Sequence, residues 1–310
     1  MISPNVGRLR FDSYAQDWLA ARTHLRPKTV ELYDYLLRLH LSPTFGHVSI
    51  NKITVAMVRD WNAKLRSGPL SETTAAKAYR LLRQIIESSV DDRLIRENPC
   101  RVKGAATERT REREIPSLDE VVRLAEAIEP RYRAMVLLAA TVGLRKGECF
   151  GLARRHLALE QEPFTVTVER GRLETVKHGM IFQEPKTLAG YRMVAIPPSL
   201  VPELQQHLDL FADRGPDSLL FTDERTGDTP IKTYWRTAWD KARNGAEVDC
   251  TFHDLRHVAR TLNAAAGATI KEAMARLGHN SPEAALRYQH ASKARDHQIA
   301  ADIDRLLRGA

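Results

Sequence analysis

The chain has 310 residues, of which 43% are hydrophobic and 28% are charged, and this balance excludes a disordered chain. Its length exceeds that of one typical domain core and predicts two compact units. No apolar run approaches the length of a membrane span, and the first residues lack the apolar core of a signal peptide. We therefore expect a cytoplasmic protein.

The cysteines also favour that location. Cys100, Cys149 and Cys250 are odd in number and far apart, which is typical of reduced thiols rather than of a disulfide framework. Cys250 and His253 have a spacing that metal ligands use, but a third and a fourth ligand are missing nearby. The glycine motifs of nucleotide-binding enzymes do not occur in the sequence. We therefore expect neither a metal nor a cofactor.

The net charge of +8 is concentrated at one end of the chain. Residues 1–105 contain 17 Lys and Arg against 10 Asp and Glu, whereas the remaining residues contain 30 against 29. This asymmetry indicates a polyanionic partner, and nucleic acid is favoured over an acidic membrane because no basic amphipathic anchor helix is evident. A charge that serves only solubility is the alternative.

The first third of the chain is predicted to form a helical domain, residues 1–104. Apolar residues recur at spacings of three and four, and Thr54 and Ser71 are placed to cap two of the helices. The helix after Ser71 has an inward apolar face: Leu81, Leu82, Ile85 and Ile86. Its cations face elsewhere and are the candidates for nucleic-acid contact, with a merely solvated face as the alternative: Lys77, Arg80 and Arg83.

The next stretch marks a domain boundary. Residues 105–115 are polar, charged and without periodicity, which predicts an extended linker. Ser117 and Glu120 then form a capping box at the start of a new helix. The second domain is therefore predicted to span residues 116–310.

The second domain is predicted to be largely helical. An apolar helix over 131–144 is followed by a short helix over 145–152. Alternating or β-branched residues at 164–173 and 191–197 predict a small antiparallel sheet, with Lys186 at a turn. The fold class that follows is mainly α with a small antiparallel β-sheet.

Three side chains of this domain suit a phosphodiester. Arg145 is predicted at the N-terminal end of the short helix, where backbone N–H groups and the helix dipole favour an anion. Arg256 lies one turn beyond His253, so the two share a helix face. Two guanidinium groups can hold phosphate oxygens bidentately and neutralise the charge of a pentacoordinate transition state. Taken singly, each residue is also typical of a salt-bridged surface or a core edge.

Four segments carry a family resemblance: TVGLRKGE, EPKT, HDLRH and LGHNSPEAALRYQH. Their order and separation resemble those of tyrosine site-specific recombinases of the phage integrase family, and the basic helical segment before them resembles that family's core-binding domain. The resemblance therefore covers nearly the whole chain and implies a two-domain clamp around duplex DNA.

The resemblance also implies the catalytic residues. They are expected to be Arg145, Lys186, His253, Arg256, His279 and Tyr288. Glu148 and His257 are expected to support them. Tyr288 would attack the scissile phosphorus, with His253 as its base and Lys186 as the acid for the leaving 5′-hydroxyl. The 3′-phosphotyrosyl link is similar in energy to the phosphodiester that it replaces, so the reaction would need no ATP. The arginines, the lysine and the histidines would supply the electrostatic stabilisation, so it would need no metal ion.

The expected partners are attachment sites in double-stranded DNA, four protomers of the chain on that DNA, and an excision factor; without DNA we expect a monomer. The apolar stripe of residues 295–310 is predicted to dock on a neighbouring protomer, with docking on its own domain as the alternative. Many phage integrases carry a further N-terminal arm-binding domain, and its natural absence or removal is left open. Gly190, Asn280 and Ala285 replace the family's common Ser, Ser and Thr, which is expected to alter only local phosphate contacts.

Three functions compete at this point. The first is an integrase that acts on phage or mobile-element attachment sites. The second uses the same chemistry in a Xer-like resolvase of replicon dimers or a type IB topoisomerase. The third is a catalytically inactive DNA-binding protein that retains the fold.

Overall fold

A computed structural model of the chain describes residues 9–108 and 114–278. It divides the chain into two compact units, with the division between Glu112 and Arg113. The predictions for His279, Tyr288 and residues 295–310 lie outside the described residues. Within the described ranges, no helix is long and apolar enough to cross a membrane.

The first unit is helical. Its elements are α1 (Phe11–Ala20), α2 (Pro27–Leu36, continued by a π-helical turn, Leu37–Leu41), α3 (Ser42–Phe45), a 3₁₀ turn (Ile50–Lys52), α4 (Val55–Ser67) and α5 (Glu72–Asp91). The two predicted caps are confirmed, because the side chains of Thr54 and Ser71 accept hydrogen bonds from the backbone N–H groups of Met57 and Thr74, each at 3.2 Å.

The core of the first unit lies between α5 and the earlier helices. All four residues of the predicted inward face of α5 are buried, and rings from α1, α3, α4 and α5 pack on one another: Phe11, Phe45, Trp61 and Tyr79. Ala105 is also buried in this core. The predicted linker therefore overlaps this core at its start, where Arg66 donates to the carbonyl of Ala105 at 3.0 Å.

The second unit combines helices with short strands. Its helices are α6 (Leu118–Ala127), α7 (Pro130–Thr141), α8 (Lys146–Gly151), α9 (Val201–Phe211), α10 (Lys232–Gly245), α11 (Asp254–Ala265) and α12 (Ile270–Leu277). Its strands are β1 (Leu157–Ala158), β2 (Thr165–Val168), β3 (Gly171–Thr175), β4 (Gly179–Gln183) and β5 (Arg192–Ala195). The capping box of Ser117 and Glu120 at the start of α6 is confirmed.

The strands form two antiparallel sheets within the described residues. One sheet has the order β1-β2-β5. Strands β3 and β4 pair in a separate hairpin, which lies between β2 and β5 in the sequence but outside their sheet. The fold class is therefore confirmed as mainly α with small antiparallel sheets. Lys186 lies in a bend between β4 and a 3₁₀ turn, Leu188–Gly190.

Helix α7 lies at the centre of the second unit, where it packs against α6, α9 and α11. Its end is fixed by Gly143, whose φ of 82° is left-handed. A Cβ at this position would collide with the side chain of Leu277. The break between α7 and α8 therefore lies directly against the C-terminal end of α12.

Candidate active site

Arg145 is the residue immediately before α8, and Glu148 lies one turn into that helix. One carboxylate oxygen of Glu148 accepts from the backbone N–H of Arg145 at 2.8 Å, and the other accepts from Nη1 of its guanidinium at 2.6 Å. The anion at this helix start is thus Glu148 itself. The side chain of Arg145 is still 41% exposed, which leaves it accessible to a ligand.

Glu148 is buried but ionised. Burial alone would raise the pKa of its carboxyl, but the hydrogen bonds and charge of Arg192, together with the charge of Arg145, lower that pKa to about 2. A buried carboxylate needs such partners. Glu148 is therefore a fixed negative charge between two arginines.

Arg192, the first residue of β5, was missed by the sequence reasoning. Its guanidinium donates to both oxygens of Glu148, at 3.2 and 2.8 Å, and only 5% of its side chain is exposed. Strand alternation could have revealed it, since residues two apart share a face and both Val194 and Ile196 are buried. An arginine on a core-facing position requires an anionic partner.

Arg256 is 1% exposed and is among the largest buried side chains of the described residues. Its Nη1 and Nη2 donate to the backbone carbonyls of Gly143 and Leu277. Burial, followed by the charge of Arg145, lowers the pKa of Arg256 to about 9, so the group remains charged at neutral pH. Two of its five N–H donors are thus engaged by the protein itself.

The C-terminal end of α12 receives all three arginines, which we call the arginine cluster (Arg145, Arg192 and Arg256). Arg192 Nε donates to the carbonyl of Arg276 at 2.9 Å, Arg256 donates to that of Leu277, and Arg145 Nη2 donates to that of Gly278 at 3.2 Å. The last carbonyls of a helix have no partner within the helix and attract cations. The next residue along the chain is the predicted catalytic His279.

His253 is the residue immediately before α11, one turn from Arg256. Burial lowers the pKa of its imidazole, and the charges of Arg256, Arg260 and Arg145 lower it further. His253 is therefore neutral at pH 7 and able to accept a proton. The ring of His257 meets it edge-on, with centroids 5.5 Å apart.

His257 is held neutral as well. Its Nδ1 lies 3.2 Å from Nη1 of Arg260, which can only donate, so Nδ1 accepts. Burial, with the charges of Arg260 and His253, lowers the pKa of His257 to about 4. The ring contact places His257 beside His253, and its supporting role stays a prediction.

The segment that carries Lys186 contacts the arginine cluster at Gly190. Lys186 is exposed, and four residues later the carbonyl of Gly190 accepts from Arg192 at 3.2 Å. Gly190 has no room for a Cβ, because Pro185 occupies the space. The replacement of the family's common Ser by Gly190 therefore has a steric reason.

A cleft of about 510 Å³ lies beside His253. It contains a second group of cations, Lys146, Lys232 and Arg236, and none of the three has an ion pair among the described residues. Sequence reasoning missed Lys146, although it directly follows Arg145. Such a cation-lined cleft suits a polyanion.

The thiol of Cys250 also lines this cleft, and burial raises its pKa to about 12. It is thus not a thiolate at neutral pH, which is the form that ligates metals. Among residues 9–108 and 114–278, no group of three or more His, Cys, Asp or Glu side chains is arranged to hold a metal ion.

The candidate DNA-contact residues of α5 have different surroundings, and we call them the basic face of α5 (Lys77, Arg80 and Arg83). Arg80 forms an ion pair with Glu108. Within the described part of the first unit, Lys77 and Arg83 form no ion pair, and the side chain of Arg83 is exposed. Their role in binding stays a prediction.

Comparisons with known proteins agree over both units. The model of the phage integrase family matches residues 109–295, and that of the phage integrase N-terminal SAM-like domain matches residues 10–66. The prophage phiRv2 integrase of Mycobacterium tuberculosis is 39% identical over 303 residues, which cover 96% of this chain and 78% of that protein. The integrase of Mycobacterium phage D29 is 33% identical over 95% of this chain and 78% of its own length.

Solved structures show the same fold at lower identity. A Tn1549 transposon integrase in complex with a circular intermediate DNA has a TM-score of 0.79 at 19% identity, over 96% of this chain and 99% of that one. A lambda integrase tetramer bound to a Holliday junction has a TM-score of 0.66 at 18% identity, over 92% and 78% of the two chains. The matched family model and the close relatives together show that this chain belongs to the phage integrase family.

Proposed function

We propose that the chain is a site-specific DNA recombinase that integrates and excises phage or mobile-element DNA through a covalent 3′-phosphotyrosyl intermediate. The observation that carries this proposal is the arrangement of Arg145, Arg256 and Arg192 on the carbonyls of residues 276–278. His253 is one turn from Arg256. This arrangement supports a phosphate site directly before His279 and ten residues before Tyr288.

In the proposed cleavage step, the hydroxyl of Tyr288 transfers its proton to the neutral imidazole of His253 as its oxygen attacks the scissile phosphorus. A bond forms between that oxygen and phosphorus, and the bond from phosphorus to the 5′-oxygen breaks. Lys186 gives a proton to the leaving 5′-oxygen, which becomes a hydroxyl. Ligation is the same sequence in reverse, with a 5′-hydroxyl from the partner strand as the nucleophile.

The cations have separate tasks in this scheme. The exposed guanidinium of Arg145 neutralises the non-bridging oxygens. The buried guanidinium of Arg256 adds positive charge from a low-dielectric environment, where its effect is larger than in water. His279 is assigned a hydrogen bond to a non-bridging oxygen or to the leaving group. Since one phosphate ester replaces another, and fixed cations supply the electrostatic stabilisation, the proposal needs neither ATP nor a metal ion.

The proposed substrate is duplex DNA, which each of the two units would contact. The basic face of α5 and the cations beside His253 would contact the phosphate backbone, which gives salt-dependent binding. Recombination between two sites cuts four strands and so requires four protomers, and a solved lambda integrase is a tetramer on a Holliday junction. Residues 295–310 are proposed to dock on a neighbouring protomer. An excision factor is proposed to set the direction of the reaction, and the reaction is proposed to take place in the cytoplasm of a bacterial host.

Integration is favoured over dimer resolution by the relatives. The prophage and phage integrases are 39% and 33% identical to this chain, whereas a protein named tyrosine recombinase XerC-like, from Caldanaerobacter subterraneus, is 28% identical. A Xer-type function would predict a requirement for a second recombinase.

The decisive experiment uses a nicked suicide substrate, made from the host attachment site, that releases a short fragment after cleavage. The wild-type chain should form a covalent protein–DNA adduct in EDTA and without ATP. Tyr288→Phe should form no adduct and should bind the same DNA with unchanged affinity. Absence of an adduct with the wild-type chain would contradict the proposal and favour an inactive DNA-binding protein.

A further inference from the structure

Arg192 donates hydrogen bonds to three separate segments of the second unit. Its guanidinium donates to both oxygens of Glu148, to the carbonyl of Gly190 at 3.2 Å and to the carbonyl of Arg276 at 2.9 Å. These acceptors belong to α8, to the segment after Lys186 and to the end of α12. Each of these acceptors lies three or four residues along the chain from a proposed catalytic residue, so Arg192 links the neighbourhoods of Arg145, Lys186 and His279.

Stability alone is a weak reason for such a pair. Glu148 and Arg192 are 10% and 5% exposed, and a buried ion pair usually contributes little more than apolar side chains of the same volume would. A buried pair is better at fixing geometry, because its partners must meet at set distances and angles.

The pair fixes the carboxylate that orients Arg145. Glu148 receives the backbone N–H and Nη1 of Arg145 on the same two oxygens that receive Arg192. Without Arg192, the carboxylate could rotate toward Arg145 alone and carry its guanidinium away from the position set by Gly278. Arg145 is 41% exposed, so little else restrains it.

The register of Arg192 is itself well determined. Arg192 pairs with Val168 at the end of the β2–β5 ladder, and its strand neighbour Val194 is buried. Gly278 completes the arrangement, since a Cβ there would press against Nη1 of Arg192 and the carbonyl of Ala189. The end of α12 can approach Arg192 this closely only with glycine at 278.

We propose that Arg192 is a positioning residue of the cleavage step, which acts by holding Glu148 and thereby Arg145 in register with the end of α12. This inference rests on the proposed recombinase function. Loss of Arg192 is expected to misplace Arg145, the proposed phosphate-binding cation. DNA affinity should not change, because most of it depends on phosphate contacts elsewhere.

The test is single-turnover cleavage of the nicked substrate by Arg192→Lys, which keeps the charge but cannot hold both oxygens of Glu148 while reaching Arg276. We expect cleavage to slow by about 10²-fold, the usual cost of a small misplacement, with unchanged DNA affinity. On a substrate with a methylphosphonate at the scissile position, the phosphorus centre carries one negative charge less. On this substrate the cleavage rate of the variant should fall much less relative to the wild-type chain, because less charge has to be neutralised in the transition state.

Two further variants separate positioning from folding. Arg154→Lys is the matched control, since Arg154 also donates to several carbonyls, those of Leu208, Ala212 and Asp213, away from the site. It should be destabilised to a similar degree and should cleave both substrates at the wild-type rate. Arg145→Ala combined with Arg192→Lys should be no slower than Arg145→Ala alone, since residues that act through one another are not additive.

Failure of this inference is distinct from failure of the function. Three results would contradict the positioning role, provided that the wild-type chain forms the adduct. They are cleavage by Arg192→Lys at the wild-type rate, a fall of its cleavage rate by the same factor on both substrates, and an effect on the rate that multiplies fully with that of Arg145→Ala. Should Arg192→Lys not fold, Arg192→Gln answers the same question, because its single amide group cannot hold both oxygens of Glu148 and also reach the carbonyl of Arg276. Its loss must again be smaller on the methylphosphonate.

Discussion

The arginine cluster and the basic face of α5 show two ways in which a protein presents positive charge. In the cluster, each guanidinium is held by two or more hydrogen bonds to backbone carbonyls or to Glu148, and the side chains of Arg192 and Arg256 are almost completely buried. On α5, Lys77 and Arg83 form no ion pair within the described residues of the first unit. Cations held in this way suit the stabilisation of a transition state, whereas solvated cations suit the release of counterions from DNA.

The largest effect should come from the exposed member of the cluster. Arg145→Ala is expected to slow single-turnover cleavage by about 10³-fold, because a charge at the reacting phosphate acts mainly in the transition state. DNA affinity, measured by gel shift on the same site, should change little. A loss confined to affinity would place Arg145 with the solvated cations instead.

His253→Gln should have the next largest effect, a slowing of about 10²-fold, since it removes the proposed base. Burial and the charges of the neighbouring arginines lower the pKa of His253, so the wild-type rate at subsaturating protein should be level from pH 8 down to about 6.5 and should fall only below that. The variant should lack this acid limb. An inflection well above pH 6.5 in the wild-type chain would argue against His253 as the base.

Lys77→Ala and Arg83→Ala should affect binding and not chemistry. Each is expected to lower the slope of log affinity against log salt by about 0.9, the contribution of one phosphate contact, with an unchanged rate from saturated complexes. Arg101→Ala is the control, since Arg101 is exposed on the same unit but is paired with Glu97 at 2.6 Å. Unchanged slopes for both α5 variants would leave that face as merely solvated.

The smallest effect concerns stability in acid. The pKa of His257 is lowered to about 4, mainly by burial, so the unfolded chain binds more protons than the folded chain between about pH 6.5 and 4. Stability from this group is therefore complete above pH 6.5 and is lost as the pH falls, by at most about 1.4 kcal/mol per pH unit. Thermal unfolding of His257→Asn at pH 7 and pH 5 should show a smaller decrease than that of the wild-type chain. An equal decrease would show that other groups control the loss of thermal stability between pH 7 and pH 5.

Features that depend on neighbours along the chain could be predicted from the sequence. Caps at Thr54, Ser71 and Ser117 follow from side chains that satisfy nearby N–H groups, and the apolar face of α5 follows from helical spacing. The contact between Arg145 and Glu148 follows from a separation of three residues on one helix start. The spaced motifs named the family and with it the candidate residues.

Which cations meet, and how deeply they are buried, depends instead on packing between segments that are distant in the sequence. Arg192 is 44 residues from Glu148 and 84 from Arg276, and it reaches both because β5 pairs with β2 and α12 ends beside α7. Arg256 is buried because carbonyls from two other segments surround its guanidinium. Strand register and helix packing set these distances through contacts between distant segments, so no local pattern of the sequence contains them.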